Sequence, residues 1–244
     1  MKNKLNQAGI SLIELMIAVL IAVFLLAGVL QIFINSKQTN KMQINMSRLQ
    51  ENGRFALDFM ANDIRTAGYW DCMAPMAGAT NKDITGTDGA LGTPDSITLR
   101  AAFMPIAYCD WSLHAEVANN AYTAPTTQLN VYNAPTSIIT YSISAGNFLN
   151  KSNQNIVEGI ENMEIKYGVD ALDDDSVDYY VPQANVVDWS KVISVRIKLL
   201  VVTLDDNLRT EKEHYTFNDK EFTAKDLKIR RIFTSTIVLR NRLK

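Results

Sequence analysis

The residue whose chemistry is hardest to explain away is Glu14. Across residues 10–34 the only clearly polar side chains are Ser11, Glu14 and Gln31. That run exceeds the roughly 20 apolar residues a helix needs to cross a bilayer. A carboxylate near the start of such a helix costs on the order of 2–3 kcal/mol to insert even on lenient scales, so it is normally partnered and functional. The plain alternative is a carboxylate at headgroup depth, favoured by the positive end of the helix. The residue types that perform catalysis are scarce elsewhere. The chain holds two His, His114 and His214, and two Cys, Cys72 and Cys109, whereas a structural zinc site alone takes four such ligands. There is no Gly-x-Ser-x-Gly elbow, no Gly-Lys-Ser/Thr phosphate loop and no His-Glu-x-x-His pair. The expectation is therefore no enzyme, no metal and no cofactor.

Three further clusters each have a bland reading beside a functional one. Cys72 and Cys109 both follow the apolar run; if the domain beyond it is periplasmic, oxidation is permitted and a disulfide is expected, with two buried thiols as the alternative. Closing about 38 residues would stabilise the fold by roughly 4 kcal/mol in the chain-entropy account. Asp170, Asp173, Asp174, Asp175 and Asp178 offer oxygens for calcium. No Gly marks an EF-hand turn and no Glu closes one, so a solvated acidic loop is expected. The basic set Lys225, Lys228, Arg230, Arg231, Arg240, Arg242 and Lys244 could meet DNA phosphates or an acidic subunit. Alternation along a strand instead suggests a wet face. With 24 Lys+Arg against 26 Asp+Glu and a net charge of -2, overall charge does not single out a nucleic acid.

The elements that must position these residues begin with the N-terminal run. It is too long, and lacks the small-x-small site, for a cleaved secretory signal. Lys2 and Lys4 on one side and Lys37, Lys41 and Arg48 on the other leave the positive-inside count tied. The segment Ala8-Gly9-Ile10-Ser11-Leu12-Ile13-Glu14-Leu15-Met16, after a short basic leader, resembles the type IV prepilin signal. That resemblance implies cleavage between Gly9 and Ile10 by a prepilin peptidase on the cytoplasmic side and N-methylation of Ile10. Ile10 stands where the family usually has Phe. In an apolar filament core, the amine of Ile10 in an incoming subunit would need a counter-ion, and Glu14 of a neighbour would supply it.

Helical spacing continues past Asn35 through Leu49, Ala56, Phe59, Met60, Ile64 and Ala67, with charged residues on other faces. Unbroken from about residue 12 to 66, this helix would be roughly 80 Å long. It contains no Pro, Gly28 and Gly53 are its weak points, and Gly68 is a C-terminal stop. The run Ser47-Arg48-Leu49-Gln50-Glu51-Asn52-Gly53-Arg54-Phe55-Ala56-Leu57-Asp58-Phe59, followed by Asp63-Ile64-Arg65-Thr66-Ala67-Gly68-Tyr69, is similar to the PilW family of minor pilins. Beyond Gly68 the pattern predicts strands over residues 96–103, 128–132, 137–143, 192–203, 213–217 and 232–239. Met163, Ile165, Tyr167 and Val169 alternate with Glu164, Lys166 and Gly168, predicting one buried and one wet face. In the last long strand but one, Ile193, Val195, Ile197, Leu199 and Val201 are expected to share a face. Residues 156–163 and 230–242 also resemble the PilW family.

The expected fold is α+β and type IV pilin-like, a long N-terminal helix packed on a C-terminal antiparallel β-sheet domain. Its parts are a leader at 1–9, a transmembrane or filament-core helix at 10–34, an amphipathic continuation at 35–67, and a periplasmic β-rich domain at 68–244 with a variable segment at about 74–136. The PilW resemblance implies a minor pilin of a tip or initiation complex. Its partners would be the prepilin peptidase, other minor pilins, the major pilin, a PilY-type tip adhesin and, before assembly, the inner membrane. Twitching motility, adhesion and DNA uptake would follow downstream. The alternatives are a J-type minor pseudopilin of type II secretion and a bitopic membrane-anchored binding domain.

Overall fold

The computed structural model describes residues 11–68, 83–89, 92–102 and 136–242. The chain divides into two compact units, Met1–Met46 and Ser47–Lys244. One helix, α1 (Leu12–Thr66, 55 residues), supplies the described part of the first unit and the first element of the second. Good helix formers fill it, and no Pro removes a backbone donor. In the first unit every residue from 11 to 44 is exposed, Leu12 at 77% and Phe24 at 73%. A stretch that apolar is long enough to cross a membrane.

The second unit packs the C-terminal half of α1 on antiparallel strands. Strands β1 (Ile84–Thr87), β2 (Ser96–Ala102), β3 (Thr136–Ser144), β4 (Phe148–Lys151) and β5 (Gln154–Glu158) form one sheet in that order. Strands β6 (Ile160–Val169), β7 (Tyr179–Val181), β8 (Val192–Val202) and β11 (Arg230–Val238) form a second, ordered β11-β8-β6-β7, while β9 (His214–Phe217) and β10 (Lys220–Thr223) make a separate hairpin. One core joins the helix stripe Leu49, Ala56, Met60 and Ile64 to the inward residues of both sheets, among them Ile97, Tyr141, Leu149, Ile165, Tyr167 and Leu199. Alternation explains these choices, because every second strand residue faces the helix.

The antiparallel β-domain is built on two sheets and a hairpin. The chain changes sheets at Gly159, whose φ of +79° puts it in the left-handed region and whose Cβ would lie 2.8 Å from the Val202 carbonyl oxygen. The predicted strand at 213–217 forms β9, turns at Asn218-Asp219, both with positive φ, and pairs with β10. The face of β6 expected to be wet is covered at Glu164, 4% exposed and paired with Lys166 at 3.1 Å and Lys198 at 3.2 Å. In β8 a register shift sets Val192 opposite Val169 while Ser194 stays opposite Gly168, so Val192 joins the central cluster while Ile193, still buried, lies outside it. Phe59 leaves the helix stripe: it is 38% exposed and packs edge-to-face on Phe55 with ring centres 4.5 Å apart. Residues 128–132 lie outside the described residues.

Candidate assembly site

The start of α1 is closed by its own side chains. Ser11 precedes the first helical residue; its Oγ accepts the Glu14 N–H at 3.2 Å, and Glu14 Oε2 accepts the Ser11 N–H at 3.0 Å. This reciprocal pair is a capping box, with Ser at the cap and Glu three residues on. The signal Ser-x-x-Glu is present in the sequence at residues 11–14, where the apolar run around it draws Glu14 into a membrane context first. Only Oε2 is engaged among the described residues, so the carboxylate keeps a lone-pair face for a cation. Gly9 and Ile10 lie outside the described residues.

The other end of the helix is locked to the β-domain by residues of the Asp63-to-Gly68 run. Asp63 accepts the Tyr141 hydroxyl at 2.5 Å and pairs with Lys151 Nζ at 2.7 Å. Burial, and then the bond to Asp63, push the Tyr141 hydroxyl far above the ordinary phenol range. Asn241 Nδ2 donates to the carbonyls of Arg65 at 3.4 Å and Ala67 at 3.1 Å, satisfying the helix C-terminus from the end of the chain. Gly53 sits where a Cβ would come within 2.7 Å of the Phe233 ring. A glycine that weakens the helix locally is thus what lets β11 approach it.

The basic set divides: Lys225, Arg231 and Arg240 are exposed, whereas Arg230 and Arg242 are taken up by the fold. Arg230, 5% exposed, bonds the Glu161 carboxylate at 2.6 and 3.0 Å and the Asp226 carboxylate at 2.8 and 3.0 Å. The Arg230 guanidinium holds the Asp226 carboxyl below the usual range. Arg242 donates to the carbonyls of Trp189 and Val192 and pairs with Asp83 at 3.6 Å, and burial lowers its affinity for a proton. Two of the cations that a nucleic acid would need are therefore consumed by the fold. The acidic loop consumes its carboxylates in the same way: Asp170 accepts the N–H groups of Asp174 and Asp175, and Asp178 those of Ala171 and Leu172. Among the described residues no cluster of three His, Cys, Asp or Glu is placed to hold a metal ion. Cys72, Cys109 and Lys244 lie outside the described residues.

What remains as a site is an exposed apolar helix with a carboxylate at its capped start, joined to a β-domain. Residues 117–241 match the family model described as Type IV Pilus-assembly protein W. The chain belongs to the PilW family. Residues 4–30 match the prokaryotic N-terminal methylation motif. No curated protein matches the chain. Among solved structures, the type IV-like pilin TTHA1219 from Thermus thermophilus is similar at a TM-score of 0.51 and 10% identity, over 81% of this chain and 99% of that one. At that identity the likeness is one of fold, a long apolar helix on an antiparallel β-domain. PilW membership makes the chain a structural, non-catalytic component of pilus-type assembly.

Proposed function

We propose that this chain is a minor pilin of a type IV pilus, inserted in the inner membrane with its β-domain in the periplasm and then taken into a tip complex that primes polymerisation. The observation that carries the reading is the methylation motif at 4–30 leading into a helix whose apolar side chains from 12 to 34 are all exposed. Prepilin peptidase would cut between Gly9 and Ile10 and methylate Ile10. Ser11 keeps an amide N–H after that cut, so the capping box survives, and Glu14 meets the new amine of a neighbouring subunit. The β-domain selects the neighbours: other minor pilins, the major pilin and a PilY-type adhesin. Motility, adhesion and DNA uptake are outputs of the assembled fibre.

The test is a deletion strain complemented with wild type, Glu14→Ala or Glu14→Gln, scored for major pilin in the sheared surface fraction with exoprotein secretion assayed in parallel. Deletion should empty the surface fraction and leave secretion normal. Glu14→Gln keeps an acceptor for the capping box but no charge, so it should be processed normally and still fail to join pili. Normal incorporation of both variants would reject the role of the charge. Normal pili with lost secretion would instead make the chain a J-type pseudopilin.

A further inference from the structure

Strand β11 is an edge of its sheet, paired over Arg230–Val238 with β8 alone and without a register shift. In an antiparallel ladder alternate residues exchange bonds with the partner, and those between point their N–H and C=O the other way. The bonds Leu239 N–H to Ile193 O, 2.9 Å, and Thr203 N–H to Ile229 O, 3.0 Å, fix the phase. Odd-numbered residues of β11 therefore bond β8, and the backbones of Ile232, Thr234, Thr236 and Val238 face off the sheet. Arg230 obeys the same phase: its outward N–H donates to Glu213 Oε2 at 2.9 Å and its outward carbonyl accepts Arg231 Nη1 at 2.8 Å. From Ile232 onward none of the described residues takes these groups.

The side chains at those positions are exposed as well, Ile232 at 46% and Val238 at 44%. The strand carries no Pro, Lys or bulge, the usual devices that close an edge. Its ends are cationic: Arg231, which pairs with Glu213 at 3.6 Å, is still 52% exposed, and Arg240 is exposed beyond the other end. A carboxylate already satisfies the first outward N–H of this edge, at Glu213.

We propose that β11 accepts an extended strand from another polypeptide, with a β-branched middle along residues 232–238 and acidic residues at both ends facing Arg231 and Arg240. Backbone bonds would supply the affinity and the flanking charges the selection.

The test uses the full chain in detergent micelles and the labelled peptide Asp-Glu-Val-Thr-Val-Thr-Val-Glu-Asp, with a version carrying Lys at every acidic position. The acidic peptide should bind and slow amide exchange in β11, and the Lys version should bind at least about tenfold more weakly. Thr234→Pro removes an outward N–H without touching the bonds to β8, so it should weaken binding about tenfold in a folded protein. Should that variant unfold, Arg240→Glu serves in its place and should narrow or reverse the preference between the two peptides. No binding of the acidic peptide, equal binding of both, or undiminished binding by folded Thr234→Pro would overturn the proposal. Protection of β11 that grows with protein concentration and without peptide would replace the acidic strand with a second copy.

Discussion

Glu14 carries two duties that differ in what they require. The capping box needs only an acceptor oxygen at the third helical residue, whereas pairing with a neighbour's amine needs the charge. That difference is why Gln and Ala substitutions separate the duties where Ala alone would not. Asp226 illustrates the same dependence on a partner. Its carboxyl is held below the ordinary value of 3.8 chiefly by the hydrogen bonds from Arg230. A folded-state pKa below the unfolded one contributes stability that is present above the unfolded value and lost as pH falls through the folded one. Asp95 acts in the opposite sense, because burial raises its carboxyl and makes its ionised form costly. Acidification below about pH 4 should therefore lower Tm through Asp226, and Asp226→Asn should flatten that limb. Thermal unfolding followed between pH 2 and pH 6 checks it, with an unchanged acid limb as the contrary result.

At the scale of elements, the approach of α1 to β11 depends on one missing side chain. Gly53→Ala adds a methyl that meets the Phe233 ring at 2.7 Å, an overpacking cost of about 1–3 kcal/mol. Alanine also improves helix propensity by about 1 kcal/mol. The two effects predict a change of sign: Gly53→Ala should destabilise the wild type and stabilise a Phe233→Ala background. Urea unfolding of the four proteins measures it, and destabilisation of the same size in both backgrounds would dismiss the contact. The helix is also held by Asp63, which reaches Tyr141 and Lys151 on β3 and β4.

At the scale of the whole molecule, the chain combines two solvents. Residues 12–34 present apolar side chains on every face, and residues 47–66 present one buried stripe beneath a β-domain. An all-round apolar helix is stable only where something other than water surrounds it. The reading as a processed and oxidised pilin makes a prediction about the intact chain recovered from cells. Its mass should lack residues 1–9, gain one methyl at Ile10 and lack the two hydrogens removed by a bond between Cys72 and Cys109. Full-length mass in a strain with prepilin peptidase, or two alkylatable thiols under native conditions, would contradict the respective part.

The sequence alone determined the long helix, its apolar first half and the inward residues Met163, Ile165, Tyr167 and Val169 of β6 and Val195, Ile197, Leu199 and Val201 of β8, because periodicity records which face a local segment keeps from water. It also held the capping box, which is a contact over three residues. The fate of the charges was decided by the tertiary structure. Arg230 meets Glu161 across 69 positions and Tyr141 meets Asp63 across 78, and no local pattern says which distant carboxylate will arrive beside a strand cation. The switch of sheets at Gly159 and the covering of Glu164 have the same origin. They follow from the path of the chain, which sets what lies opposite each face, whereas the sequence pattern sets only what each face prefers.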